Sequence, residues 1–144
     1  MFKLKAAALE SLLNSQAVQK FFSSYLPAQI SLPCAFLIKE MQDAYEIYAE
    51  KKREVLEKYC DRDQEGNIVF VGDNKNQYSF QDNRKILEEE LTILINTEIE
   101  IRAEKPVIDL ELLEEKSDVK LSPYNIIELS LLIDFVGEEG GKEE

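Results

Sequence analysis

The amino-acid sequence predicts an α+β fold, predominantly helical, with one long central helix, a β-hairpin and one or two short additional strands. Three observations predict it. Apolar side chains at Cys34, Leu37, Ile38, Met41, Ala44, Tyr45, Tyr48, Val55, Leu56 and Tyr59 keep a 3- and 4-residue spacing with no Gly or Pro after Pro33, the period of one helical face. The stretch 61–67, Asp-Arg-Asp-Gln-Glu-Gly-Asn, is dense in turn formers and separates that helix from two short apolar runs, Ile68–Val71 and Tyr78–Phe80, which read as a hairpin with a longer loop. Thr97, Ile99 and Ile101 alternate with Glu98, Glu100 and Arg102, the pattern of a strand with one wet face.

The remaining elements follow in order. Phe2, Lys3, Leu4 and Lys5 alternate as a short edge strand, and Leu9, Leu12 and Leu13 then take up helical spacing. Asn14 and Ser15 stop that helix or cap the next, a short one from Ala17 to Tyr25 that Pro27 ends. Ser31 reads as the N-cap of the long helix, with Pro33 in its first turn, where a missing N–H does no harm. After the hairpin, Asp82 or Asn83 caps a helix carrying Ile86, Leu87, Leu91, Leu94 and Ile95. Pro106 to Ile108 reads as a further strand, and Asp109 caps a short acidic helix through Leu112 and Leu113. Ser122 and Pro123 open a last amphipathic helix carrying Ile126, Ile127, Leu129, Leu132 and Ile133. Residues 1–136 read as a single α+β domain and 137–144 as a flexible acidic tail.

Composition narrows the function. The chain has 144 residues, 44% of them hydrophobic and 32% charged, enough for one core. With 17 Lys and Arg against 29 Asp and Glu, the net charge is −12, which opposes the counterion release that nucleic-acid binding depends on. Residues 1–60 carry a net +1 and residues 61–144 a net −13, so the second half holds the acidity and suits docking on a basic protein. The chain has no histidine, which removes the commonest general base, His-paired nucleophiles and His-containing metal sites. No window approaches a membrane span, and MFKLKAAALESLL lacks the long apolar core of a leader, so the reading is no membrane and no export. Cys34 and Cys60 sit roughly 39 Å apart at ~1.5 Å per helical residue, too far to bridge, and read as small buried hydrophobes of a reducing cytoplasm.

Asp61, Asp63, Glu65, Gly66 and Ile68 match positions 1, 3, 5, 6 and 8 of an EF-hand loop, but position 12, the bidentate Glu, is Gly72, with Asp73 one residue late. The better account is an acidic turn with Gly66 in a left-handed conformation. No metal, no cofactor and no catalytic group is assigned. Recognition is what remains. Lys39, Gln42, Tyr45, Tyr48, Lys52 and Arg53 put aromatic faces, an amide and positive charge along one helix. They form either a pocket for a small nucleotide-like ligand or core and dimer packing. The basic triplet Lys51–Arg53 interrupts the apolar stripe, either as a lysine stem snorkelling over the core edge or as the floor of an anion site. A helix from Leu32 to Tyr59 runs ~42 Å at ~1.5 Å per residue, against a radius of gyration near ~15 Å, so a homo-oligomer is expected.

The segments EVLEKYCDRDQEGNIVF, NQYSFQDNRKILEEELTILINTEIEI and KLSPYNIIELSLLI resemble a widespread group of small, uncharacterised bacteriophage proteins. In these a long helix runs through an acidic turn into a hairpin, a Glu-rich helix, a short Glu/Ile strand and a Ser-Pro-capped last helix. The resemblance spans roughly residues 26–135, and it departs at Cys60, where a small residue, often Gly, is the rule. It implies no catalytic residues. It does imply a phage protein in the cytoplasm of a bacterial host that acts by binding. The expected function is non-catalytic: an oligomeric sponge that counters host antiviral defence by sequestering a small nucleotide immune signal. The alternatives are an acidic inhibitor of a basic host protein and a virion-assembly factor.

Overall fold

The computed structural model describes residues 1–72, 77–81 and 83–137. Strand β1 (Phe2–Lys5) leads directly into α1 (Ala6–Leu13), α2 (Gln16–Phe22) and the long α3 (Ala28–Tyr59). A small hairpin, β2 (Phe70–Val71) and β3 (Gln77–Tyr78), precedes α4 (Arg84–Ile95) and β4 (Glu98–Ile101). The chain ends with β5 (Val107–Asp109), α5 (Leu110–Lys116), α6 (Pro123–Leu129) and β6 (Asp134–Val136). The fold is therefore α+β and predominantly helical, built on one long central helix, as the apolar periodicity predicts.

Three two-stranded sheets tie the helices together among the described residues. Strands β1 and β4 pair antiparallel with Leu4 opposite Ile99 and Lys3 opposite Glu100. Leu4 and Ile101 are buried on one face, while opposite charges line the other, a favourable cross-strand arrangement. Strands β5 and β6 pair in parallel, with Ile108 opposite Phe135. One core takes in Leu9 and Leu12 of α1, Val18 and Phe21 of α2, Cys34, Leu37 and Met41 of α3, and Ile108, Leu113, Leu129, Leu132 and Ile133 from the last third of the chain.

Several caps fall where the sequence places them. Ser15 accepts from the Val18 amide at the start of α2, and Asp109 accepts from the Glu111 amide at the start of α5. Ser122 and Asn125 form a reciprocal capping box with Pro123 in the first turn of α6. Gly66 has φ +87° in the acidic turn, where Asp63 Oδ1 accepts from the amides of Glu65 and Asn67.

Other boundaries differ. Helix α2 stops at Phe22, with the Ser24 hydroxyl bonded back to the Lys20 carbonyl, so Tyr25 lies outside it and is fully exposed. Helix α3 begins at Ala28, not after Ser31: the Pro27 carbonyl accepts from the Ile30 and Ser31 amides, and burying Ile30 anchors this extra turn. Pro33 therefore sits inside the helix, where it has no N–H to donate to the Gln29 carbonyl. The last helix ends at Leu129, and Leu132 and Ile133 belong to the turn that leads into β6. The hairpin strands are shorter than the two apolar runs, and Phe80 lies beyond β3. Asn83 occupies the N-cap position of α4 without a capping bond, its side-chain amide donating instead to the Tyr59 carbonyl at 3.4 Å. Asp73, Asp82 and tail residues 138–144 lie outside the described residues.

The stripe on α3 is closed by its own chain. Cys34, Leu37, Met41 and Tyr48 are 2%, 0%, 0% and 3% exposed, because α1, α2 and the β1–β4 pair wrap that face. What α3 leaves uncovered is a different line, Leu32, Phe36 and Ile47. Cys34 and Cys60 are both free and buried.

Leu37→Ala removes a fully buried side chain and is expected to lower unfolding free energy by about 2–5 kcal/mol in urea titrations, whereas Leu32→Ala changes it little. Burial pushes the Cys34 thiol up to about 11. The folded state therefore resists ionisation that the unfolded chain undergoes, and the Cys34 contribution to stability is expected to be lost as pH rises from the ordinary value of 9.0 towards about 11. Comparing the pH dependence of unfolding with that of Cys34→Ala checks this.

Candidate functional site

The six residues singled out on the long helix do not form one cluster. At ~100° per residue, Lys39, Gln42 and Arg53 share one arc of α3, and Tyr45, Tyr48 and Lys52 share another about 120° round the helix. The first group is exposed, and its charges are already matched. Lys39 Nζ pairs with Asp43 at 3.2 Å. The Arg53 guanidinium is gripped by Glu50 and Glu57 on the same helix. Those two carboxylates hold the Arg53 guanidinium above its ordinary range, and Arg53 holds the Glu50 carboxyl below its own. Arg53 is thus held by two carboxylates of its own helix, while Lys39, like Lys51, keeps a single exposed pair.

The second group faces inwards. The Tyr45 and Tyr48 rings lie 6.0 Å apart and tilted. Lys52 Nζ passes 5.9 Å from the centre of the Tyr48 ring and reaches Glu10 Oε2 on α1 at 3.3 Å. Its stem thus lies over the core edge with the ammonium group on a carboxylate. The acidic turn is likewise occupied with folding: Asp61 Oδ2 accepts from the Ser79 hydroxyl at 2.7 Å and from the Gln81 amide at 2.8 Å, tying the hairpin to the end of α3.

Tyr48 is the exception in this ordered network. It is 3% exposed, and its hydroxyl has no hydrogen-bond partner among the described residues. Burial raises the Tyr48 phenol above its ordinary range, with Lys52 opposing and Glu10 and Tyr45 adding to the rise. A buried hydroxyl left unmatched costs about 1–3 kcal/mol, so its position calls for an explanation.

Tyr48 also lines a groove of about 560 Å³ between α3, the end of α4 and β4. Ala44, Ile47, Leu94 and Ile99 give it apolar walls, and Lys51 and Arg102 stand among its charged residues with Glu40, Asp43 and Glu100. Lys51 is held only by an exposed pair with Glu54, and Arg102 makes no ion pair among the described residues. An apolar slot with a few charged groups at its wall is the usual form of a small-molecule site. Of the six residues picked from sequence, only Tyr48 lines it. Ile47 was the available signal for the rest: it is an apolar residue out of phase with the buried stripe, and it is 66% exposed.

No family model matches the chain, and no curated protein or solved structure is significantly similar to it. No helix among the described residues is long and apolar enough to cross a membrane.

The Lys52–Glu10 pair is about one-third exposed on each side and is expected to contribute less than about 1 kcal/mol. Lys52→Met keeps the stem over Tyr48 and removes the charge. Its unfolding free energy is expected to stay within that margin of the parent protein, and a larger loss would give the ion pair a structural role.

Proposed function

We propose that the protein is a non-catalytic, homo-oligomeric binding protein that sequesters a small nucleotide signal in the groove over Tyr48. The resemblance to phage proteins supports setting it in the cytoplasm of a bacterial host, where holding such a signal counters antiviral defence. The observation that carries the reading is the Tyr48 hydroxyl, buried at the groove without a partner. A nucleobase lying on Ala44, Ile47, Leu94 and Ile99 would place a ring nitrogen or carbonyl near that hydroxyl, and Lys51 and Arg102 would meet a phosphate. In this reading Lys51 and Arg102 take the part that Lys39 and Arg53 had in the sequence argument. The exposed line Leu32, Phe36 and Ile47 supports self-association through the outer face of α3.

One observation favours a second reading, an acidic inhibitor of a basic host protein. Exposed Glu89 and half-buried Glu90 stand three or four residues from Ile86 and Ile93 on α4, which are 47% and 66% exposed. Charge around two apolar anchors suits a basic partner surface, and that affinity would fall steeply with salt.

Calorimetry against cyclic ADP-ribose isomers and cyclic dinucleotides tests the leading reading. The expected result is binding, with ligand recovered unchanged and affinity about tenfold lower in Tyr48→Phe and in Arg102→Gln. No heat across the panel, turnover of the ligand, or variants that titrate like the parent would overturn it. Light scattering is expected to report a particle larger than the 16.6 kDa chain, and a lone chain at micromolar concentration removes the oligomer.

A further inference from the structure

A second concavity, of about 740 Å³, lies on a different part of the molecule, between α2 and the segment that joins α5 to α6. It shares no lining residue with the groove over Tyr48. Its lining includes Lys20 on α2, Tyr25 just beyond α2, and Asp118 and Lys120 on the joining segment. Two lysines against one aspartate make a local positive balance in a chain whose net charge is −12. Among the described residues neither lysine forms an ion pair, so both ammonium groups are available at the cavity. The two cations belong to separate elements whose backbones are fixed by the core. Val18 and Phe21 are buried two and one helical positions from Lys20, and Val119 and Leu121 pack on the same core on either side of Lys120. Tyr25 presents an almost wholly exposed ring, 99%, at the same cavity, and the Gln16 side chain adds an amide.

From this placement we infer a second binding site, for a small phosphate-bearing molecule with a planar ring, held by Lys20 and Lys120 at the phosphate and covered by Tyr25 at the ring. The chemistry is a division of labour. The ammonium groups supply charge-assisted hydrogen bonds to phosphate oxygens. The exposed tyrosine ring supplies a stacking face that gains burial only when a ligand lies under it. The cavity falls within the roughly 300–1,000 Å³ span of small-molecule pockets, which leaves room for both parts. Asp118 weakens the attraction for a bare polyanion and so favours ligands that combine modest charge with a stacking surface. The inference stands apart from the function proposed for the Tyr48 groove, because no residue is common to both.

Titration with adenosine 5′-monophosphate, alongside adenosine and inorganic phosphate, tests it by calorimetry on the full chain. The monophosphate is expected to bind at least about tenfold more tightly than either fragment, and its affinity is expected to fall between ~50 mM and ~300 mM salt as the lysines are screened. Lys20→Gln and Lys120→Gln each weaken it about tenfold, while Tyr25→Ala reduces it to the level of inorganic phosphate. All three positions are exposed, so the variants keep the fold, which circular dichroism verifies. Tyr48→Phe leaves this binding unchanged, which separates the two sites. Absence of monophosphate binding at millimolar concentration, or a Lys20→Gln/Lys120→Gln double variant that binds like the parent, overturns the inference.

Discussion

The structure depends on one constraint: a single face of a 32-residue helix has to be sealed by a short chain. Cys34, Leu37 and Met41 belong to a core that also takes in α1, α2, β1, β4 and the last third of the chain. The amino-terminal strand joins this core by pairing with β4, and the last third of the chain packs against it through α6 on α2. Burial of this core is the dominant favourable contribution to the fold of a chain with so much surface charge. The consequences extend to the far half of the helix. Once α1 and β4 close over that face, Tyr48 is carried under cover with them, hydroxyl included. An oligomer is therefore not needed to cover the buried stripe, and any self-association uses Leu32, Phe36 and Ile47 instead.

Much of this architecture is legible from local rules. The 3- and 4-residue spacing of Cys34, Leu37, Met41 and Tyr48 identifies the buried face, and Ser15, Asp109 and Ser122 mark helix starts through bonds to amides two or three residues away. Failures occur where distant parts of the chain decide. Ile133 keeps helical spacing with Leu129, but the following residues are taken by β5, so a strand replaces the last helical turn. Ser31 and Pro33 have the chemistry of a helix start, yet burial of Ile30 extends the helix behind them.

The candidate site was harder to read, for an instructive reason. Sequence reveals residue types, and Lys39 and Arg53 are reasonable anion binders by type. Their partners stand three or four residues away, at Asp43, Glu50 and Glu57, a spacing that lets helix neighbours neutralise each other. The cations that line the two cavities, Arg102, Lys51, Lys20 and Lys120, lie on four different elements or joins, and only the fold brings them to a cavity wall. A total charge of −12 thus does not exclude a local positive balance such as that of Lys20 and Lys120 against Asp118.

The central claim is that Tyr48 holds a hydroxyl inside the protein for something other than the fold. Equilibrium unfolding of Tyr48→Phe, without ligand, tests this most directly. If the hydroxyl has no partner within the chain, its removal lifts a desolvation penalty and the variant is as stable as the parent or more stable, by up to about 1–3 kcal/mol. A loss of about 1 kcal/mol or more would mean that the hydroxyl is bonded within the folded chain, and the groove would lose the feature that marks it as a site.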